Sequence, residues 1–178
     1  MCAAPIRNDE WYMTQALKLA QKAARLGEVP IGAVVVDAHG SIIGRGYNAV
    51  ERFGSQQEHA EMRALRQACR KVGDWRLDGA IVYVTLEPCK MCVYAIALSR
   101  CKEIVYGAAS PLFGSKFKKE QEMSLYTKHL QEVRGGVLRD RASDMLRSFF
   151  KQKRGVDHEK FKGTDKKGFA QAKRSDRI

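Results

Sequence analysis

The sequence predicts an α/β protein of three layers, a sheet held between helices. Two observations lead there. Short β-branched runs such as Gly32–Val36 and Ala80–Leu86 alternate with segments whose apolar residues recur at helical spacing. Turn-forming residues separate them, as at Gly27 and at Asp37-Ala38-His39-Gly40. A length of 178 residues suits one domain with a sizeable core. We place that domain at residues 1–154 and expect a basic, disordered tail over 155–178, which lacks hydrophobic periodicity.

Residues 9–26 read as an amphipathic helix, with Met13, Ala16, Leu17, Ala20 and Ala23 on one face and Gly27 suited to its end. Gly32–Val36 reads as a strand, Asp37–Gly40 as a hairpin turn and Ile42–Tyr47 as the returning strand. His39 is read as a polar turn residue. A polar loop is expected over Asn48–Glu58. A second helix spans 59–72, with Met62, Leu65, Ala68, Cys69 and Val72 facing inward. Ala80–Leu86 is a buried strand, and Pro88 starts a buried helix over Cys89–Leu98. Ile104–Tyr106 is a short strand, 111–120 is irregular and basic, and Gln131–Leu138 is the last strand. Asp140 is the expected cap of a final helix through Arg154, with Ala142, Met145, Leu146 and Phe149 inward.

The formal net charge of +12 favours a polyanionic partner. No apolar run reaches the ~18 residues of a membrane span. Met1–Pro5 lacks signal-peptide features, so a cytoplasmic location is expected. The five cysteines do not form a secreted disulfide pattern. Cys69 and Cys101 read as small buried hydrophobes, whereas Cys89 and Cys92 form a pair one helical turn apart.

His59-Ala60-Glu61 and Pro88-Cys89-Lys90-Met91-Cys92 carry the chemistry. One imidazole and two thiolates give Zn²⁺ three ligands and leave a fourth position for water, the pattern of a catalytic site. A helix N-terminus stabilises the thiolates of Cys89 and Cys92. Two thiolates acidify the water less than three histidines would, so a base is needed. Glu61 is placed to take the water's proton and pass protons to a ring nitrogen and a leaving amine. Glu87 is expected to act through its backbone and by supporting the ligands, since a fourth protein ligand would block the open position. Alone, C-x-x-C also suits structural zinc or redox sites, and H-x-E alone says little. Together they match the H-x-E…P-C-x-x-C signature of zinc nucleobase deaminases.

Between Trp11 and Arg154 the chain resembles the bacterial-type tRNA-specific adenosine deaminases of the cytidine-deaminase-like superfamily. The resemblance rests on Glu28-Val29-Pro30-Ile31-Gly32-Ala33-Val34, Gly44-Arg45-Gly46-Tyr47-Asn48, His59–Leu65, Thr85–Cys92, Val105-Tyr106-Gly107-Ala108 and Phe149–Arg154. It implies a three-layer α/β/α cytidine-deaminase-like fold with a central five-stranded mixed sheet, one zinc per chain, a homodimer, and adenosine-to-inosine conversion in a tRNA anticodon stem-loop. It also implies that Asn48 hydrogen-bonds the flipped base, with donor and acceptor on one amide. Backbone groups at Ala60, Leu86 and Glu87 would orient base and water, and Val29 and Ile31 would wall the pocket. Lys116, Lys118 and Lys119, with Phe149, Phe150, Lys151, Lys153 and Arg154, would meet RNA. Of the two adjacent phenylalanines, one should pack inward and the other face a base or ribose.

The chain departs from the family at Ala109-Ser110-Pro111-Leu112-Phe113-Gly114-Ser115-Lys116, where Ser110 replaces an expected aspartate. This bears on RNA contacts and leaves the zinc chemistry intact. Two alternatives stay open: a free nucleobase or nucleoside deaminase acting on guanine, cytosine or cytidine, and an inactive RNA-binding partner subunit. The intact Glu61 speaks against the second.

Overall fold

A computed structural model describes residues 7–115 and 128–162, the last eight of these as backbone only. Its elements are α1 (Asp9–Arg25), β1 (Gly32–Val36), β2 (Ile42–Tyr47), α2 (Val50–Phe53), α3 (Ala60–Val72), β3 (Ile81–Leu86), α4 (Lys90–Leu98), β4 (Glu103–Ala108), β5 (Glu132–Gly135) and α5 (Arg139–Lys162). The five strands form one sheet in the order β2-β1-β3-β4-β5. β1 runs antiparallel to both β2 and β3, while the β3–β4 and β4–β5 pairs are parallel. The expected mixed α/β/α architecture is present.

Every residue of β1 is buried, as a strand covered on both faces requires. Ala33 and Val35 point into one core with Val82, Val84 and Ile104, beneath Ala60, Ala64 and Ala68 of α3 and Val93 and Ile96 of α4. Val34 and Val36 point the other way, with Tyr83 and Val105, toward Met13, Ala16 and Leu17 of α1 and Ala142 of α5. The period-2 alternation of the strands thus supplies two cores. α1 begins where the Asn8 side chain accepts the Trp11 N–H, and ends before Gly27 at φ +79°.

Two glycines of β2 set the height of α3. A Cβ on Gly46 would overlap Ala60 O and lie 2.6 Å from Ala64 N, and one on Gly44 would overlap Ala64 O. Only hydrogen at these positions lets the helix backbone rest on the strand.

Several boundaries depart from the sequence reading. The segment Asn48–Glu58 contains α2 and a 3₁₀ turn over Gln56–Glu58, held by side-chain acceptors that a polarity pattern does not reveal. Val72 is exposed because it lies in the last turn of α3, before the left-handed Gly73. The expected buried helix, α4, is buried on one face only, with Met91, Tyr94 and Leu98 exposed on the other. β5 stops at Gly135 because Gly136 takes φ +101°. Asp140 lies within the first turn of α5 and does not precede it. α5 continues past Arg154 to Lys162; a single glycine, Gly155, costs a helix only about 1 kcal/mol and does not by itself end it.

Candidate active site

The site lies where two helices begin beside the carboxyl ends of parallel strands. β3 ends at Leu86, and Glu87 N–H donates to Ala108 O at the end of β4, 2.8 Å away. The chain then turns through Pro88 into α4. Cys89 occupies its N-cap position and Cys92 its first turn, so both sulfurs lie near unpaired helix N–H groups. His59 is the N-cap residue of α3, and Glu61 follows in the first turn.

These two helix starts bring the three ligand atoms together. His59 Nδ1 lies 3.4 Å from Cys92 Sγ and 3.8 Å from Cys89 Sγ. All three ligand atoms lie within 4.8 Å of one another. Tetrahedral zinc with ordinary bond lengths separates nitrogen and sulfur ligands by about 3.6 Å, so the spacing fits the ion. On its other side, His59 Nε2 is 3.1 Å from Gln56 Oε1. An amide oxygen only accepts, so Nε2 carries a proton; Nδ1 faces the sulfurs, donating to the Cys89 thiolate when the ring is charged and offering its lone pair once a metal displaces that proton. Nothing in the sequence pattern singles out Gln56 for this task.

The electrostatics favour a cation. Hydrogen bonds from Cys92 and then from His59 hold the Cys89 thiol down to about 4. Cys92 moves upward, because it shares its proton with Cys89 and is buried. His59 is raised, chiefly by its hydrogen bond to Cys89. The cluster therefore carries a thiolate and a shared proton that a divalent ion would displace. Glu61 is 4% exposed, and burial pushes its carboxyl upward, partly offset by its own backbone N–H. A carboxyl raised toward neutrality and set against a metal site can exchange protons in both directions.

A second buried carboxylate holds the segment that leads toward His59. Glu28, 1% exposed, accepts Asn48 Nδ2 at 3.2 Å, Glu51 N at 3.3 Å and Arg52 N at 2.7 Å. Asn48 itself is 5% exposed, and its backbone N–H donates to Ile31 O. Since Glu28 only accepts, it fixes the amide with nitrogen inward, leaving Oδ1 and one N–H for a ligand. Ala49 N–H donates to Glu58 O, which ties this segment to the residue before His59. Glu28 opens one of the family segments, yet only the fold gives it a role.

The other expected residues are placed as follows. Val29 and Ile31 lie on the chain that leads into β1, and Ile31 packs on the core beneath α3. Ala60 is fully buried, with its carbonyl against Gly46. Leu86 and Glu87 are half-buried, and Glu87 Oε2 accepts Ser110 N at 3.0 Å, so this carboxylate anchors the divergent loop, outside the ligand cluster of His59, Cys89 and Cys92. The Phe149 and Phe150 rings meet edge to face at 5.4 Å, the first half-buried and the second exposed. Lys151, Lys153 and Arg154 are exposed on α5. Lys116, Lys118 and Lys119 lie outside the described residues, as does the stretch 163–178 of the expected tail.

Residues 6–108 match the cytidine and deoxycytidylate deaminase zinc-binding region, more than half of the chain. The chain belongs to this deaminase family. Within it, the chain is 45% identical over 151 residues to the tRNA-specific adenosine deaminase of Bacillus subtilis (strain 168), covering 82% of this chain and 91% of that deaminase. A solved structure from work on A-to-I editing by tRNA:A34 deaminases superposes with a TM-score of 0.70 at 36% identity, covering 76% of this chain and 99% of the other. The guanine deaminase of Bacillus subtilis superposes with a TM-score of 0.57 at 33% identity, covering 67% and 85%. This deaminase is a zinc protein, and His59, Cys89 and Cys92 offer the metal site among the described residues.

Proposed function

We propose that this protein hydrolyses adenosine to inosine at the wobble position of a tRNA anticodon loop, with one zinc per chain. The buried Glu61 beside the His59–Cys89–Cys92 cluster carries the deaminase assignment. The 45% identity to a tRNA-specific adenosine deaminase favours the tRNA over a free base. Zinc, when bound, acidifies water and so supplies the nucleophile at neutral pH. Glu61 would take one proton from the water and deliver it to the ring nitrogen beside the carbon under attack; as the added oxygen becomes a carbonyl, its remaining proton would pass through Glu61 to the departing amine. Water adds its oxygen to that carbon, the C–N bond breaks and ammonia leaves. Asn48 offers Oδ1 and one N–H to the base, held in that orientation by Glu28. Val29 and Ile31 wall the base, and backbone groups at Ala60, Leu86 and Glu87 orient base and water. A loop base is already unpaired, so turning it into the site costs little.

Lys151, Lys153, Arg154 and exposed Phe150 on α5, with Lys116, Lys118 and Lys119, complete the proposed RNA surface. The exposed apolar stripe Met91–Tyr94–Leu98 on α4 supports a homodimer, since residues three and four apart share a helix face. No helix among the described residues is long and apolar enough to cross a membrane; we place the enzyme in the cytoplasm with its tRNA.

The deciding experiment incubates the zinc-loaded protein with an anticodon stem-loop bearing adenosine at the wobble position, with free adenosine and with guanine, reading inosine, xanthine and ammonia. Strong preference for the stem-loop is expected. Preference for guanine would hand the site to the free-base reading, which the likeness to guanine deaminase favours. Light scattering should give twice the chain mass.

A further inference from the structure

A cleft of about 220 Å³ on the outer side of α3 is lined by Arg45, Arg63, Arg66, Gln67 and Arg70 together with Gly46 and Tyr47 of β2. No acidic residue lines it. Four guanidinium groups around one small volume repel each other unless an anion joins them.

Two of the four are braced in place. Glu58 accepts both guanidinium nitrogens of Arg66, at 3.0 and 3.2 Å, and also pairs with Arg63. Arg63 further stacks on the rings of Tyr47 and Phe53, 4.8 and 5.5 Å from the centroids. The other two are free of carboxylate partners among the described residues: Arg45, exposed on β2, and Arg70, exposed on the third turn of α3. Gln67 Oε1 accepts the outward N–H of Arg45 at 2.6 Å. That bond takes up one outward donor of the edge strand and ties β2 to α3 at the cleft. The single carboxylate thus positions two cations and leaves the cleft positive.

The cleft also runs in a definite direction. Arg63, Arg66 and Arg70 recur at helical spacing from one turn beyond His59. Between Arg63 and Arg70 the helix advances about 10 Å, long enough for more than one phosphate. α1 and α5 lie on the opposite face of the sheet, so this stripe is separate from the basic end of α5.

We infer that the Arg45–Arg63–Arg66–Arg70 cleft is a second phosphate-binding site, which grips the backbone of the RNA whose base enters the metal site. Planar guanidinium forks suit phosphate oxygens, and the braced pair binds without first losing side-chain freedom. The inference rests on the RNA reading above and adds a second anchor to it.

The test compares zinc-loaded wild type with the double variant Arg45→Ala/Arg70→Ala. The probe is a labelled full-length tRNA transcript with adenosine at the wobble position. Neither residue touches the metal site, and both side chains are exposed, so folding and zinc content should be unchanged. Affinity should fall on the order of tenfold at low salt. The slope of log K against log salt should become shallower by about 0.7–0.9 for each phosphate that is no longer neutralised. The rate at saturating RNA should stay the same. Arg25→Ala, an exposed charge on α1, serves as the control and should change little. Unchanged affinity in the double variant, or an equal loss in the control, overturns the site. So does a change in mass by light scattering, which would make the cleft a contact between subunits. If the wild type makes no inosine in any RNA, the functional reading fails instead, and that arm is scored on the wild type alone.

Discussion

Glu28 and Glu61 are both buried carboxylates, yet their surroundings differ. Glu28 meets three N–H donors, one from Asn48 and two from the backbone of α2. Glu61 meets its own backbone N–H and the sulfur cluster, and burial dominates its titration. A carboxylate surrounded by donors holds those donors in place. A carboxyl short of donors is pushed by burial toward its protonated form. The first arrangement builds a clamp; the second builds a shuttle.

The largest expected effect comes from removing the shuttle. Glu61→Gln keeps the shape and loses the proton acceptor, so kcat should fall by at least about 10²–10⁴-fold, with zinc and RNA retained. Stopped-time inosine assays on stem-loop RNA measure this; near-normal turnover would move the proton transfer to another group. Next in size is Glu28→Ala. Three donors lose their acceptor, at about 1–3 kcal/mol each where water cannot replace it. Denaturant unfolding should show a loss of about 3 kcal/mol, with KM raised because the Asn48 amide is no longer fixed. If Glu28→Ala unfolds like wild type, the clamp is not one.

A third experiment contrasts the two by sign. Burial raises the carboxyl of Glu61 from 4.5, so in metal-free protein its neutral form is favoured by folding. Its contribution is present below that value and is lost as pH rises through the raised one. Metal-free Glu61→Gln should therefore melt higher than metal-free wild type at neutral pH, and the gain should vanish near pH ~4. Glu28→Gln, in contrast, should melt lower at neutral pH, because an amide turns donors toward donors. Thermal melts across pH in chelator check both signs.

The smallest effect belongs to a half-buried carboxylate used as a reference. Asp9 is lowered from 3.8 chiefly by its hydrogen bond to Arg134, 2.7 Å away, and it also accepts the Tyr83 hydroxyl. Its contribution is present above 3.8 and is lost as pH falls through the lowered value. Since both partners are about a third exposed, Asp9→Asn should cost no more than about 1 kcal/mol at neutral pH and nothing in strong acid. A loss as large as that of Glu28→Ala would mean that burial does not separate these groups.

Much of this is legible in the chain, and the legible part has a physical signature. His59, Cys89 and Cys92 stand out because a tetrahedral ion restricts both residue type and spacing. The β-branched strands stand out because both sheet faces are covered. Glu28 is hidden because charged side chains are seldom fully buried, and because its three donors arrive from positions 20 to 24 residues downstream. Gln56 is hidden for a similar reason: one hydrogen bond to a ring nitrogen leaves no pattern. α4 reads as wholly buried because composition alone cannot separate a core helix from one with an apolar face turned outward.

The glycine seats under α3 bear on how long the protein keeps its metal. Gly44 and Gly46 leave no side chain between strand and helix that could yield, so the helix start that carries His59 cannot shift without lifting α3 off the sheet. Such an opening exposes the core beneath α3, which makes it nearly equivalent to unfolding the domain. The half-time for zinc release to a chelator should then follow the global unfolding rate, and amide exchange along β1 should slow or quicken with it. Metal release would in that way serve as a clock for the lifetime of the fold.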